Sequence, residues 1–362
     1  MKKKNIHEKE NREIDQKIPS GAPNLFIDSI GSKSFTKNKN ADIMKIQLDE
    51  LKDLCMKVMR KSGLDEKTCE LVLEEYLDGE LRNSDSHGIA MIKKFGTGTS
   101  PNLPKWEIEK DEETYMLVNG NQNYGQLILS DILPKLIEKT KKNKITMFGM
   151  YNAKSYSRPG TYARKVAESD LIGIIMNYSG KNRVAPFGGI DPMLGTNPIG
   201  IGIPGDPNIV LDIATSKRNF AMVRVAQRLG KQIPEDLAVD KDGNPSTNPD
   251  KIMDGALYPF GGYKGYGLGL TIEVLTRLMF NLKEVPCRGF FFILVDPTAF
   301  GDLETFKQNV IDLENEIKNS RSAPRQEIRI PGERGDKLKA EALERGWIEI
   351  DDKIIEELKG LL

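Results

Sequence analysis

From Ile46 to Arg60 the apolar residues Leu48, Leu51, Leu54, Cys55, Val58 and Met59 recur at steps of three and four, and Gly63 supplies a stop. Asp65 opens a second such segment, with Thr68, Cys69, Val72, Leu73, Tyr76 and Leu77 on one face. The two stripes predict a helical hairpin. Tyr115 to Val118 then reads as a short strand ending at the turn Asn119-Gly120, and Leu127 to Lys142 as an amphipathic helix with Leu129, Ile132, Leu133, Leu136 and Ile137 inward. Strands Ile145–Tyr151 and Leu171–Tyr178 flank a helix over about 160–169. Val210–Ile213 is a strand, Phe220–Gly230 a helix, and the unbroken apolar run Phe290–Val295 a fully buried strand. The chain ends in helical stripes: Phe306, Val310, Leu313 and Ile317, then Leu338 and Leu343, then Ile354, Ile355 and Leu358. Strands alternating with helices predict an α/β fold in the middle and a helical part built from both chain ends. The expected division is a Lys-, Asn- and Glu-rich tail over 1–43, a helical domain over 44–118 plus 303–362, and an α/β domain over 119–302 with 217–255 as a small insertion.

Two stretches break the periodicity. Ala185 to Gly205 holds six Gly and four Pro, a density that no helix or long strand interior tolerates, so turns and very short strands are expected. Bare backbone of this kind either cradles a ligand carrying phosphate or amide groups or lets two strands cross closely. Gly200, Gly202 and Gly205 spell a literal GxGxxG, but Pro204 and Asp206-Pro207 stand where a phosphate-binding helix would begin, which excludes the Rossmann reading. Phe260 to Gly269 reads as a glycine-rich turn with Lys264 feeding an apolar helix from Leu270 to Met279, an anion site or a closely packed helix start.

Composition narrows the chemistry. Lys plus Arg and Asp plus Glu number 53 each, so no overall field favours nucleic acid or an anionic membrane. Cys55, Cys69 and Cys287 lack CxxC spacing, and with His7 and His87 the only histidines no zinc site is expected. The acids of Asp240–Asp250 lack EF-hand spacing. No apolar run is long enough to cross a bilayer and no secretory leader precedes the first helix, which leaves the cytoplasm as the expected location.

His87 lies in the polar turn Arg82-Asn83-Ser84-Asp85-Ser86-His87-Gly88 and is the sole histidine outside the tail. It is a hydrogen-bonded loop residue or, if the protein needs a general acid or base that works near neutrality, the candidate for it.

Seven blocks in order carry a resemblance: RNSDSHGI (82–89), NYSGKNRVAPFGGIDPMLGTNPIGIGIP (177–204), VLDIATS (210–216), GKQIPEDLAVDKDGNPSTNP (230–249), PFGGYKGYGL (259–268), FILVDPTAFGD (292–302) and PGER (331–334). From about residue 46 onward the chain resembles the malate/L-lactate dehydrogenase type-2 family. The resemblance implies a homodimeric oxidoreductase using NAD or NADP on a small-molecule substrate, with a mixed α/β fold that is not Rossmann. It assigns Asn177, Tyr178 and Ser179, the loop Gly195-Thr196-Asn197, the pair Lys231 and Gln232, and Gly332-Glu333-Arg334 to the cofactor. It assigns the proton to His87, flanked by Ser86, with a pKa expected near neutrality.

Departures from the family pattern fall on the substrate side. Where DSHGxxR has an arginine to clamp a carboxylate, this chain has Met91, which donates nothing. A second motif histidine is Ser155, in Asn152-Ala153-Lys154-Ser155-Tyr156, and the glycine and lysine of a third motif are Ala221 and Met222. Two readings follow. Either the enzyme takes a non-standard 2-oxo or 2-imino acid-like substrate, with Arg158, Lys154 or Lys181 replacing the clamp, or it is a catalytically silent homologue keeping the fold as a dimeric binding or scaffold protein. A third route, catalysis through Tyr156 and Lys154, rests on proximity in sequence.

Overall fold

The computed structural model describes residues 43–84, 87–96, 103–228, 230–282, 288–324 and 326–362. The expected tail, apart from Ile43, lies outside the described residues, as do Ser86 and Cys287. In chain order the elements are β1 (Ile43–Gln47), α1 (Leu48–Lys61), α2 (Glu66–Leu81), α3 (Lys93–Gly96), β2 (Glu107–Asp111), β3 (Tyr115–Asn119), α4 (Gly125–Asn143), β4 (Ile145–Tyr151), α5 (Pro159–Ala167), β5 (Ile172–Asn177), β6 (Ile199–Ile203) and β7 (Ile209–Ile213). They continue as α6 (Phe220–Arg228), β8 (Ala238–Val239), α7 (Pro249–Ile252), β9 (Ala256–Leu257), α8 (Tyr263–Glu273), β10 (Gly289–Val295), α9 (Leu303–Asn319), α10 (Glu333–Arg345), β11 (Trp347–Asp351) and α11 (Asp352–Lys359).

Seven strands form one mixed sheet in the order β2-β3-β4-β10-β5-β6-β7, parallel only between β3 and β4. The run Phe290–Val295 is its central strand. Phe290, Phe292 and Leu294 face α4 and α5 on one side, and Phe291 and Ile293 join Ile272 of α8 on the other. Both faces are covered, which is why this strand is apolar without alternation. Burying each such side chain contributes roughly 1.5–3 kcal/mol.

The helical layer is built from both ends of the chain, and its core joins α1, α2 and Phe95 to Ala342, Ile355 and Leu358. Asp65 caps α2 by accepting the Thr68 N–H at 2.9 Å. A ribbon of β1 and β11 closes the layer, with Met44 opposite Ile350 and Ile46 opposite Ile348. The sequence reading has Ile46 as the first residue of a helix. It is instead a strand residue, because its partner is supplied by the far end of the chain. The division expected after Val118 falls inside β3, which with β2 hydrogen-bonds into the large sheet, and Lys307 of α9 pairs with Asp170, just before β5, at 2.6 Å. Among the described residues no helix is long and apolar enough to cross a membrane, and no group of three His, Cys, Asp or Glu is arranged to hold a metal.

Glycine-driven close packing corrects one boundary and explains one motif. The stretch expected to be a turn before Leu270 is already helical from Tyr263. A Cβ at Gly265 would lie 2.2 Å from the Phe260 carbonyl oxygen, and one at Gly269 would lie 2.8 Å from Thr215 Oγ1, so these glycines admit the helix into its seat rather than break it. On β6, a Cβ at Gly200 would lie 2.6 Å from the backbone of Pro159, and one at Gly202 only 2.0 Å from the Ala163 oxygen. The literal GxGxxG therefore lets α5 press onto β6.

One carboxylate ties the layers together. Asp78, near the end of α2, accepts from Arg82 at 2.9 Å, from Arg158 before α5 at 2.8 Å and from Lys339 of α10 at 2.7 Å. Asp336 extends the network to Arg82 at 2.6 Å and Arg164 at 2.9 Å. Burial pushes the Asp78 carboxyl up, but the Lys339 hydrogen bond and the charges of Arg82, Lys339 and Arg158 outweigh it and bring it down to about 2. A second acid in α2, Glu75, is 4% exposed and accepts from the Tyr162 hydroxyl. Burial pushes it up to about 8 against that hydrogen bond.

Two outcomes are expected. Asp78→Ala leaves three cations facing one another and lowers unfolding free energy by about 3–5 kcal/mol in urea titrations; a loss below 1 kcal/mol would make the network incidental. Glu75 has a folded pKa raised above its unfolded value, so its contribution is fully present below about 4.5 and is lost as pH rises through about 8. The melting temperature of Glu75→Gln should therefore gain on the parent protein steadily from pH 5 to 9, and parallel curves would refute this.

Candidate active site

One wall of the site begins at α2. Ser84 N–H donates to the Gly79 carbonyl at 2.8 Å, His87 N–H to the Ser84 carbonyl at 3.0 Å, and Ile89 N–H to Glu80 Oε2 at 2.9 Å. A Cβ at Gly79 would lie 2.0 Å from the His87 carbonyl oxygen, so only glycine there lets the histidine turn lie on the helix. Asp78, the preceding residue, holds Arg158 and so brings the loop between β4 and α5 to the same spot. Asp212 of β7 fixes the far end of that loop by accepting the Gly160 N–H at the start of α5. On α3, Phe95 packs between the rings of Tyr76 at 6.0 Å and Tyr124 at 4.7 Å, and Lys154 Nζ sits 4.6 Å over the Tyr124 ring.

The floor is the sheet end where β4 and β5 finish and β10 begins. Asn152 N–H donates to the Arg288 carbonyl at 3.1 Å, and Tyr178 N–H to the Gly289 carbonyl at 3.0 Å. Arg288 thereby joins the histidine side to the glycine-rich side. Beyond it, Gly195 N–H and Asn197 Nδ2 both donate to Glu273 Oε2, at 3.1 and 2.9 Å, and Asn197 Nδ2 also to the Gly269 carbonyl at 2.9 Å. Glu273 pairs with Arg277 at 2.7 Å, whose guanidinium lies 5.3 Å over the Tyr178 ring. Thr196 N–H donates to Ser179 Oγ at 3.2 Å.

The sequence-derived residues have distinct fates. Asn177 accepts from the Tyr156 hydroxyl at 2.7 Å, and burial raises that phenol well above its ordinary range, so the third route would start from a weak acid already bonded to Asn177. Ser155 Oγ accepts from Ser157 N–H at 3.3 Å, and Arg158 is committed to Asp78. Asn197 is buried with φ +34°, and its Oδ1 has no hydrogen-bond partner among the described residues. Lys231 and Gln232 follow α6; Gln232 is exposed and accepts from Thr247 Oγ1 at 3.0 Å. Gly332, with φ +99°, lies against β7, where Val210 N–H donates to the Pro331 carbonyl at 2.9 Å. Glu333 caps its own helix through Ile330 N–H at 3.1 Å and pairs with Lys318 at 2.7 Å, while Arg334 is exposed. Among the residues of this site that the sequence reading did not name are Asp78, Gly79, Glu273 and Arg288. Glu273 alone leaves a local signal, a carboxylate inside an apolar helix.

The electrostatics overturn one expectation. His87 was expected to titrate near neutrality, but burial and then the positive charges of Arg158, Lys94 and Arg288 push its imidazole down to about 3. Lys94 is pushed down in turn by burial and by Arg288, Arg224 and Lys181. The protein by itself keeps His87 neutral at pH 7.

Residues 46–359 match the family model for malate/L-lactate dehydrogenase. The malate/(S)-sulfolactate dehydrogenase of Methanothermus fervidus is 33% identical over 88% of this chain and 97% of its own length. The Δ1-pyrroline-2-carboxylate reductase of Pseudomonas fluorescens is 27% identical over 89% of this chain and all of its own. The structure of malate dehydrogenase from Pyrococcus horikoshii OT3 superimposes with a TM-score of 0.78 at 29% identity, covering 90% of this chain and 97% of that one. With the family model matched over residues 46–359 and a relative 33% identical over 88% of the chain, this chain belongs to the malate/L-lactate dehydrogenase family of oxidoreductases.

Proposed function

We propose that this chain transfers a hydride between NAD or NADP and the carbonyl or imine carbon of a small 2-oxo or 2-imino acid-like substrate. The observation that carries the reading is the junction at Arg288: its charge acts on His87, and the next carbonyl in the chain holds Tyr178 of the expected cofactor motif. The glycine-rich side suits a nicotinamide cofactor. Asn197 Oδ1 is buried without a donor among the described residues, and a Cβ at Gly195 would lie 2.3 Å from it and 2.7 Å from Ser179 Oγ. Bare backbone beside an unused acceptor fits a ligand that brings its own amide.

Asn177, Tyr178, Ser179, Gly195, Thr196 and Asn197 would hold the nicotinamide end, with Lys231, Gln232 and the Gly332-Glu333-Arg334 loop further out. The bound cofactor supplies or accepts the hydride. His87 moves the proton on the carbonyl oxygen or imine nitrogen. Its neutral state in a cationic pocket makes an anionic substrate part of the chemistry, since negative charge beside the imidazole favours the protonated form that donates.

A homodimer fits the outward face of α8. This helix turns Gly265, Gly269 and Glu273 inward, while Tyr263, Leu270 and, beyond its end, Val274 and Leu278 are 64%, 42%, 43% and 58% exposed. Phe187 adds to the patch, its ring 6.2 Å from that of Tyr263. An apolar stripe turned to solvent marks a surface that a second copy would cover.

Fluorescence titration should show NADH or NADPH binding below millimolar concentration, and failure of both would remove the reading. His87→Ala should lower kcat about 10²- to 10⁴-fold with cofactor affinity unchanged. Equal losses would make the histidine structural, and cofactor binding without turnover across oxo acids and cyclic imines would favour the silent homologue. Leu270→Asp with Leu278→Lys should halve the mass measured by light scattering; an unchanged mass would assign the face to another use.

A further inference from the structure

Away from the site described above, α2, α4 and α5 enclose a cavity of about 210 Å³. That is roughly sevenfold the room one water takes in the liquid, so a single solvent molecule does not fill it. One side is apolar, made by Leu71 of α2 and by Leu129 and Leu133 of α4. The other carries Glu75 of α2, Gln126 and Ser130 of α4, and Tyr162 of α5. None of the residues assigned above to the proton or the cofactor lines it.

The polar side is a set of acceptors whose neighbouring donors are already spent. Glu75 is 4% exposed and Gln126 3%. Tyr162 donates to Glu75 Oε1, and Gln126 Nε2 donates to the Tyr76 hydroxyl at 3.2 Å. Glu75 Oε2 and Gln126 Oε1 remain buried with no hydrogen-bond partner among the described residues. Ser130 Oγ gives its proton to the Leu127 carbonyl at 2.7 Å, which leaves its lone pairs as a third acceptor. Lys165, which also lines the cavity, pairs with Glu74 at 3.1 Å. Two buried oxygens without donors are costly, and a ligand that brings N–H groups removes that cost.

We propose that this cavity is a binding site for a small primary alkylammonium ion. Its three N–H donors match Glu75 Oε2, Gln126 Oε1 and Ser130 Oγ, and its alkyl part covers Leu71, Leu129 and Leu133. Burial raises the Glu75 carboxyl to about 8, with Tyr162, Lys165 and Arg158 acting against the rise and Glu74 adding to it. The carboxyl therefore holds its proton at neutral pH, and a bound cation drives that proton off. The assignment stands or falls independently of the oxidoreductase reading.

Isothermal titration calorimetry of the full chain with n-propylammonium chloride, in phosphate and in HEPES, tests it. Two controls separate the contributions: 1-propanol has the same size without the charge, and tetramethylammonium has the charge without an N–H. Propylammonium should bind about ten- to a hundredfold more tightly than either, the range of a charge-assisted hydrogen bond. Its affinity should rise from pH 6 to 9 as Glu75 ionises, and the difference between the two buffers at pH 7 should report proton release. Glu75→Gln keeps the size and removes the charge, so it should lose about ten- to a hundredfold in affinity together with the proton release. Leu71→Trp fills the cavity from its half-buried rim and should abolish binding with Glu75 intact, which decides the matter if the Glu75 variant fails to fold. No binding of propylammonium, equal binding of either control, or parental affinity in Glu75→Gln or Leu71→Trp would overturn the proposal.

Discussion

The Asp78 carboxylate holds three cations that arrive from three directions: Arg82 from its own helix, Arg158 from the loop that crosses the sheet end, and Lys339 from the C-terminal helix. Geometry on both sides of the site depends on it. Gly79, the next residue, lets the His87 turn rest on α2, so the segment that carries the imidazole and the segment that carries Arg158 share one anchor. Satisfying this acid fully is what makes the arrangement stable, because a buried charge network short of one partner is worse than an apolar contact.

The same accounting applied to the neighbouring cations gives the opposite result. Arg158 is neutralised at contact distance, whereas no carboxylate among the described residues forms an ion pair with Arg288, and the surplus positive charge is felt by His87. An imidazole that would hold a proton readily in water holds it poorly beside these charges. In the proposed reaction a substrate anion would do two things at once: supply negative charge to a positive pocket and return the histidine towards the range where it can hold a proton. Binding and acid strength are coupled through one local field.

On the far side, α8 is built inside out. Gly265 and Gly269 lie inward because the helix sits hard against Phe260 and Thr215, its Glu273 ties down Gly195 and Asn197, and the apolar stripe that usually seeks a core is turned to solvent. The loop that would hold nicotinamide is thus fixed by a helix whose other face is free to pair. In the proposed dimer, subunit contact and cofactor loop would share one rigid element.

The chain's own pattern determined a good deal. Residues recurring every three or four positions marked α1, α2, α4 and α9, the run Phe290–Val295 marked the central strand, and Pro204 with Asp206-Pro207 excluded a phosphate-binding helix; each is a local signal that depends on a few neighbouring residues. His87 stood out because the chain has so few histidines. Only the tertiary structure decided the rest. β1 and β11 are strands because opposite ends of the chain meet, and α8 begins at Tyr263 because Gly265 and Gly269 face neighbours, Phe260 and Thr215, that sequence cannot place beside them. Arg288 and Lys94 act on His87, and Asp78 serves three cations, through distances between remote segments. Periodicity encodes which face of an element is apolar; charge chemistry depends on which faces meet, and that is fixed only when the chain has folded.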